Sequence, residues 1–491
     1  MKHTKTPHGL HRYQSALAAA ALWLAVAPAM AQQPWVPGTL DQTFGSVGKL
    51  TTDFFGAPDE INSVAAMWDG RFVAAGTVTG RNLTGTGSSP NLAVARYLPN
   101  GTLDPTFGTN GLAMFDRSGN VDEGFAVKVL PDRSVLVAGS QAPTAYQDFA
   151  LVKLRPDGSL DTSFGAAGVG ARTGSVLLDV GGPSQHDEGR LLAVQSNGKI
   201  IVAGHTTVPV GGFRYRRTTV ARFSADGVLD TSFGGNNTGY VVLDGAYAAD
   251  PQTGDYVTAI ATNQRGDLPA NDSITLVGYT ANRNNAYVVR LTRDGVLDTT
   301  FNGTGRVNIV AGTSSGVQTG LSDLRGARID DAGRLVLVGT SNDRGFTFLR
   351  LLANGSPDTT FGTNGRTLVK LSTVSQYDEP RALALQGNGK IVASGYATTA
   401  PSGTPQSDFF VVRLSANGQP DQGFGDGLGR MVVTVSANSE ESRSLAVEPS
   451  GKLLVAGLAR NAAGAHDDFA VLRAYGDPDR IFADGVETPL F

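Results

Sequence analysis

The chain writes "GTLDPTFG" at Gly101–Gly108, then "GSLDTSFG" at Gly158–Gly165 and "GVLDTSFG" at Gly227–Gly234. With degenerate copies admitted, the motif occurs seven times, its Asp and Phe being Asp41/Phe44, Asp104/Phe107, Asp161/Phe164, Asp230/Phe233, Asp298/Phe301, Asp358/Phe361 and Asp421/Phe424. Successive aspartates stand 57 to 69 residues apart, room for one four-stranded unit with loops of variable length. A repeat of this period describes stacked supersecondary units and overrides any domain count from length.

Between copies the text is regular too. "LLAVQSNGKIIVAG" (Leu191–Gly204) sets two apolar alternations around Asn-Gly, a strong hairpin signal. A third strand follows a variable loop, as in "DFALVKL", and a fourth follows the motif, as in "GYVVLD". Period-2 alternation and β-branched residues mark all four as strands, and no window sustains a helical period. The first strands are expected to begin near Ile61, Gly124, Arg190, Thr258, Arg325, Arg381 and Arg443. Fourth strands are offset: "GKLTTDF" (Gly48–Phe54) precedes any first strand, and none follows "FAVLRAYG". The reading is an all-β, seven-bladed β-propeller of four-stranded antiparallel blades, closed by the N-terminal strand completing the last blade. Closure removes the exposed edges of an open array.

"LDTSFG", "SNGKIIVAG" and "DFALVKLRPDG" together resemble the delta-60 repeat, a bacterial β-propeller repeat related in pattern to NHL-type propellers. The resemblance spans nearly all of Thr39 to Tyr475 and implies a secreted or surface propeller without an assigned chemistry. Blade 4 departs most, with an insertion in "TNQRGDLPANDSITLVG".

One offset never varies. Six third strands carry a base eight residues before the motif aspartate: Arg96–Asp104, Lys153–Asp161, Arg222–Asp230, Arg290–Asp298, Arg350–Asp358 and Arg413–Asp421. The turn folds back over its strand, so a charge-assisted pair inside each blade is expected, bidentate where the base is arginine. Arg473 has Ile481 at that offset, and ring closure assigns it Asp41 instead. Each motif Phe is expected to wedge between blades.

Acids precede every first strand: Asp59 and Glu60, Asp122 and Glu123, Asp187 and Glu188, Asp255, Asp323, Asp378 and Glu379, and Glu440 and Glu441. First strands are innermost in propellers, so these residues are expected to ring one mouth of the central channel as candidate ion or ligand groups, Ca2+ among the ions. Arg190, Arg325, Arg381 and Arg443 would partly neutralise them. Loops between second and third strands open on the same face, "FRYRR" (Phe213–Arg217) being the most contact-prone. Asp148, Asp408 and Asp467-Asp468 begin third strands beside those loops and could join a metal site.

The ends read separately. Residues 1–31 carry Lys2, Lys5 and Arg12, a short apolar run and Ala29-Met30-Ala31, the pattern of a secretory signal peptide. Residues 32–475 are assigned to the propeller and 476–491 to a tail that resembles "IFADGFE"-type tails of exported bacterial proteins, with Val486 in place of Phe. The expected location is outside the cytoplasm, secreted, periplasmic or at the cell surface, with no transmembrane segment after cleavage. Absence of cysteine excludes disulfides and thiolate chemistry, and only His186, His205 and His466 remain after the leader. A net charge of −4 argues against nucleic acid. No convergent catalytic set or cofactor is read from the sequence. The expected role is a monomeric binding or scaffold module for a protein, glycan or ion. Its alternatives are a metal-assisted hydrolase or lyase at the channel mouth and a purely structural envelope protein.

Overall fold

The computed structural model describes residues 35–478 except 55, 57, 80–88, 117–119, 166–172, 244–253, 264–271, 282–284, 311–320, 342, 372–377, 399–405 and 462–465. Residues 1–31, where a leader is expected, and most of 476–491 lie outside the described residues. Every element described is a strand, and the strands form seven four-stranded antiparallel sheets. Blades 1 to 6 run from Asp59 to Phe115, Asp122 to Leu178, Asp187 to Val242, Asp255 to Val310, Leu321 to Val369 and Asp378 to Val433. Blade 7 takes three strands from Glu440–Ala474 and its outer strand from Lys49–Thr52, in register Lys49 to Leu472 through Thr52 to Phe469. The N-terminal strand closes the ring.

Second and third strands are buried on both faces, as "FVAAGTV" (Phe72–Val78) and "NLAVARY" (Asn91–Tyr97) illustrate. Each blade packs against two neighbours, so these strands read as continuous apolar runs. Seven apolar clusters result, one per junction between blades. Inner strands start two to four residues earlier than expected, at Asp59, Asp122, Asp187, Asp255, Leu321, Asp378 and Glu440, because their first residues already pair with the second strand. Each also carries a register shift, for example between Ile61 and Ser63. That bulge pushes a carbonyl against the glycine of the second strand: a Cβ on Gly76 would lie 1.7 Å from the Glu60 oxygen. The glycine at this place in every second strand is required by the same close approach.

The repeated motif is a staple across two blades. Six arginine Nε atoms lie 2.7 to 2.9 Å from the aspartate Oδ2. Arg473 puts two nitrogens on one oxygen, with Nη2 also 2.7 Å from Asp41 Oδ2. Elsewhere the expected bidentate pairing gives way to a division of labour. In Arg96, Arg222 and Arg290 the Nη2 group donates to the hydroxyl two residues after the aspartate, on Thr106, Ser232 and Thr300. That same hydroxyl donates to the aspartate Oδ1, at 2.6 Å in Asp104. The Nη1 group reaches the next blade: Arg222 to the Arg293 carbonyl at 2.7 Å, Arg290 to Ala353 at 2.5 Å, Arg350 to Ala416 at 2.6 Å and Arg473 to Pro99 at 2.5 Å. Arg96 bonds the Pro156 carbonyl in the same way.

Beneath each guanidinium lies the motif Phe, 4.4 to 4.9 Å from ring centroid to Cζ in all six arginine blades. All seven of these phenylalanines are buried. The rings of six of them, all but Phe424, press on the turn glycine of the following blade. A Cβ on Gly227, already at φ +78, would sit 2.6 Å from Phe164. The turn glycine is thus needed for its backbone and for the ring packed on it. In blade 2, Lys153 lies 3.4 Å from Asp161 and 5.8 Å from the Phe164 ring, and one ammonium cannot reach three partners at once.

Two predictions follow from the staple. Breaking the buried closure pair with Asp41→Asn or Arg473→Met should cost about 3–5 kcal/mol in urea unfolding, since each leaves a partner unmatched in a site at most 5 % exposed. Lys153→Arg should stabilise by about 1 kcal/mol, by adding the missing bond toward the blade 3 turn at Ala225. A loss of stability would contradict the division of roles described above.

Candidate functional site

The paired acids part company because successive strand residues face opposite ways. The first of each pair points into the blade junction. Asp59, Asp122, Asp187, Asp255, Asp378 and Glu440 are at most 1 % exposed. Asp59 accepts the Phe54 N–H at 2.5 Å, Asp187 those of Val180 and Gly181 at 2.7 and 3.0 Å, and Asp378 that of Leu371 at 2.9 Å. Glu440 takes the N–H groups of Val435 and Ser436. These acids pin the chain where it crosses from an outer strand to the next inner strand. Burial, opposed by these N–H groups, pushes Asp59 up to about 8 and Glu440 to about 7. The single ring of acids expected at the mouth is therefore two layers, and the first layer does not face solvent.

The second layer does reach the mouth. A cavity of about 540 Å³ there is bordered by Glu60, Glu123, Glu441, Arg190, Arg381 and Arg443, among others. Arg443 spans to Glu60 of blade 1 at 2.5 Å. Arg381 contacts Glu379 at 3.3 Å and Glu441 at 4.0 Å, while Arg190 holds Glu188 at 2.8 Å. Asp323 belongs to this layer by register: it stands opposite Thr340 as Glu123 stands opposite Ser140, and it pairs with Arg325 at 2.7 Å. Blade 4 has Tyr256 at the same place. Several arginines lie over aromatic rings, Arg190 on Phe125 at 4.3 Å, Arg325 on Tyr279 at 4.9 Å and Arg381 on Tyr396 at 5.3 Å.

"FRYRR" is not a loop. It belongs to a hairpin of two eleven-residue strands, Ile200–Val210 and Phe213–Phe223, turning at Gly211 and Gly212. The sequence carried that signal as a short alternation, "VPV" and "FRYR", on either side of Gly-Gly. Phe213 at its tip is 69 % exposed, and Arg216 returns to Glu188 at 3.2 Å. Also unread in the sequence were the bases of "NGK" and "SGK": Lys199, Lys390 and Lys452 add a second cation to Asp230, Asp421 and Asp41, at 2.7 to 2.9 Å.

Among the described residues two clusters could hold a cation, with one donor atom from each residue lying within 4.8 Å of the others. One is Asp148, Asp179 and Asp187; the other is Asp53, His466 and Asp468. The three oxygens of the first suit a hard ion such as Ca2+, and the histidine of the second suits a transition metal. Burial, with Asp179 and Asp187 adding repulsion, raises Asp148 to about 6, which a bound cation would reverse. Both clusters sit at junctions between blades, where a third strand begins, and neither lines the channel mouth. His205 is buried, accepts the Val257 N–H at 2.8 Å and is lowered to about 3 by burial, so it is a neutral structural group. His186 packs edge-on to Tyr146 and does not border the mouth cavity.

Six segments of the chain match one known family. They are residues 69–107, 130–164, 195–233, 270–301, 333–361 and 386–424, and the family is described as a domain of unknown function (DUF5122), a β-propeller. No curated protein matches. Among solved structures, the polysaccharide lyase Uly1 is 12 % identical, with 90 % of this chain and 96 % of that one covered and a TM-score of 0.46. Sqt1 from Chaetomium thermophilum, bound to the N-terminus of the ribosomal protein L10, is 10 % identical over 86 % and 98 % at 0.40. The PQQ-bound aldose sugar dehydrogenase from Streptomyces coelicolor is 14 % identical over 72 % and 93 % at 0.33. None of these likenesses bears on what this chain binds or does. Among the described residues no helix is long and apolar enough to cross a membrane.

The junction acids make stability depend on pH. Glu440 is raised from 4.5 to about 7, so the fold favours its protonated form, and its contribution is complete below pH 4.5 and lost as pH rises toward 7. Gln at this position cannot ionise. The stability of Glu440→Gln relative to the parent should therefore rise across that window in urea unfolding, and a flat difference would mean the carboxyl is ionised throughout.

Proposed function

We propose that this chain is an exported propeller of the delta-60 repeat type that binds a partner, glycan or protein, at the loop-bearing mouth of its channel, without catalysis. The observation that carries this reading is the state of the mouth charges. Glu60, Glu188, Glu379 and Glu441 each have an arginine within 4.0 Å, Glu123 instead accepts from Gln147 at 2.8 Å and Ser140 at 3.3 Å, and no histidine borders the cavity among the described residues. A carboxylate whose oxygens are taken by a guanidinium or an amide is poorly placed to deliver or accept a proton. Pre-oriented Glu and Arg groups over aromatic faces are suited to hydrogen-bonding a polar ligand. The exposed hairpin tip at Phe213 extends the contact surface beside that mouth. The competing hydrolase or lyase reading would need a metal at the mouth, and the two cation-capable clusters lie elsewhere. Calcium at Asp148, Asp179 and Asp187 would tie blade 2 to blade 3 and would serve the scaffold.

The test is a panel of immobilised polysaccharides and peptides, run with the secreted chain in calcium and in chelator. Retention without release of product is expected, weakened about ten-fold by Arg443→Ala, which frees Glu60 and opens the belt. Depolymerisation of any panel member that is abolished by Glu60→Gln or Glu441→Gln would establish the enzyme reading instead.

A further inference from the structure

Below the mouth, the channel continues as a cavity of about 660 Å³ lined by all seven inner strands. Its charged lining is entirely basic: Lys128, Arg190, Arg325, Arg328, Arg381 and Arg443, with no Asp or Glu. Four of these arginines belong to the ion-paired belt at the mouth. Lys128 and Arg328 do not. Each stands opposite the second residue of its second strand, Leu136 and Val336 respectively. At the same register the other five blades have Ala65, Ala193, Ala261, Ala384 and Ala446. Seven strands converge there, and methyl groups are what the crowded axis otherwise accepts.

Two long cations thus replace alanine in blades 2 and 5, which face each other across a seven-membered ring. Among the described residues neither has a carboxylate within salt-bridge distance. Arg328 donates from Nη1 to the carbonyl of Ala327 at 2.8 Å, and its remaining donors face the channel with Lys128. Enclosure pushes both groups below their ordinary values, and the Arg328 charge lowers Lys128 further. Like charges confined in a narrow channel repel, and low-dielectric walls focus their field on the space between them. An anion in that space removes the repulsion and satisfies the free donors.

We propose that the lower channel binds a small oxyanion group, a phosphate, sulfate or carboxylate, between Lys128 and Arg328. This site is separate from the mouth and stands whether or not the mouth binds a partner. The guanidinium supplies a planar fork and the ammonium a point charge, the combination that recognises an anionic head group from two sides. Access through the mouth passes Arg190, Arg325, Arg381 and Arg443, whose charges are matched by the carboxylates of the belt.

The two positions can be tested without threatening the fold, because alanine is already the residue of the other five blades. Thermal melting of the full chain at constant ionic strength, titrated with inorganic phosphate, sulfate or galacturonate, reads the site through ligand stabilisation. A saturable rise in melting temperature is expected with at least one probe. Lys128→Ala and Arg328→Ala should each weaken the apparent affinity about ten-fold or more, and the double variant should show no rise. Without any probe, both variants should melt at or above the parent, since a repelling charge has gone. Arg460→Ala, at the exposed end of a blade 7 strand and outside both channel cavities, should leave the rise intact. A response to phosphate or sulfate identifies a free inorganic ion as sufficient, and a response to galacturonate alone identifies the carboxylate of a sugar acid. An equal rise in the double variant, or no rise in the parent with any of the three probes, would overturn the proposal.

Discussion

A single guanidinium bonded to an aspartate, an adjoining hydroxyl and a carbonyl of the next blade holds this protein together. The arrangement matters because it couples two scales. The aspartate and hydroxyl close a turn inside one blade, while the Nη1 bond and the Phe beneath fix where the next blade sits. Arg222 is 1 % exposed, and a charge so enclosed is tolerable only when all its donors are matched. Burial works against ionisation of Asp104, yet bonds from Thr106 and Arg71 and the charge of Arg96 hold it down at about 2. Lysine in blade 2 keeps the charge but forfeits the geometry, which shows how much of the staple depends on the planar fork.

Ring closure reuses the same parts from three places in the chain. Asp41 supplies the carboxylate to Arg473, and Thr43 the hydroxyl, with its N–H and O–H both on Asp41. Gly38 packs against the backbone of Phe424 and Gly425, and the Gly425 N–H bonds the Pro37 carbonyl. The bond that Arg413 would send to a following blade's turn goes to Asp477 at 3.0 Å. What a single turn does in the other blades is divided here between the beginning and the end of the propeller segment. A four-residue strand is enough to close the ring because these flanking contacts lock its register.

The channel is organised in layers along the inner strands. Buried acids cap the crossing backbone at the top, an ion-paired belt forms the mouth, and a ring of small residues broken by Lys128 and Arg328 lies below. Only the first layer is committed to holding the fold. Glu60, Glu123 and Glu441 of the belt and the two lower cations line the channel, and these positions differ from blade to blade. A closed ring of similar units acquires an individual site wherever such substitutions face the axis.

The repeat made much of this legible. Strand count, blade number and the Arg–Asp pairs follow from spacings that lie within one unit, and the offset of Arg473 from Ile481 pointed to its distant partner. The hairpin of Phe213–Arg217 was missed because its arginines were taken for loop composition, although the alternation ran through them. The division of "DE" into a buried and an exposed acid was missed because it depends on where the strand begins, and local text left that open by two to four residues. Adjacent residues of known type and short fixed spacing determine which groups meet inside a blade, since the intervening backbone has few ways to run. Lys128 and Arg328 lie 200 positions apart, and nothing local relates them. Only the closed ring brings them to one cavity, because the facing of two inner strands across an axis is a property of all seven blades together.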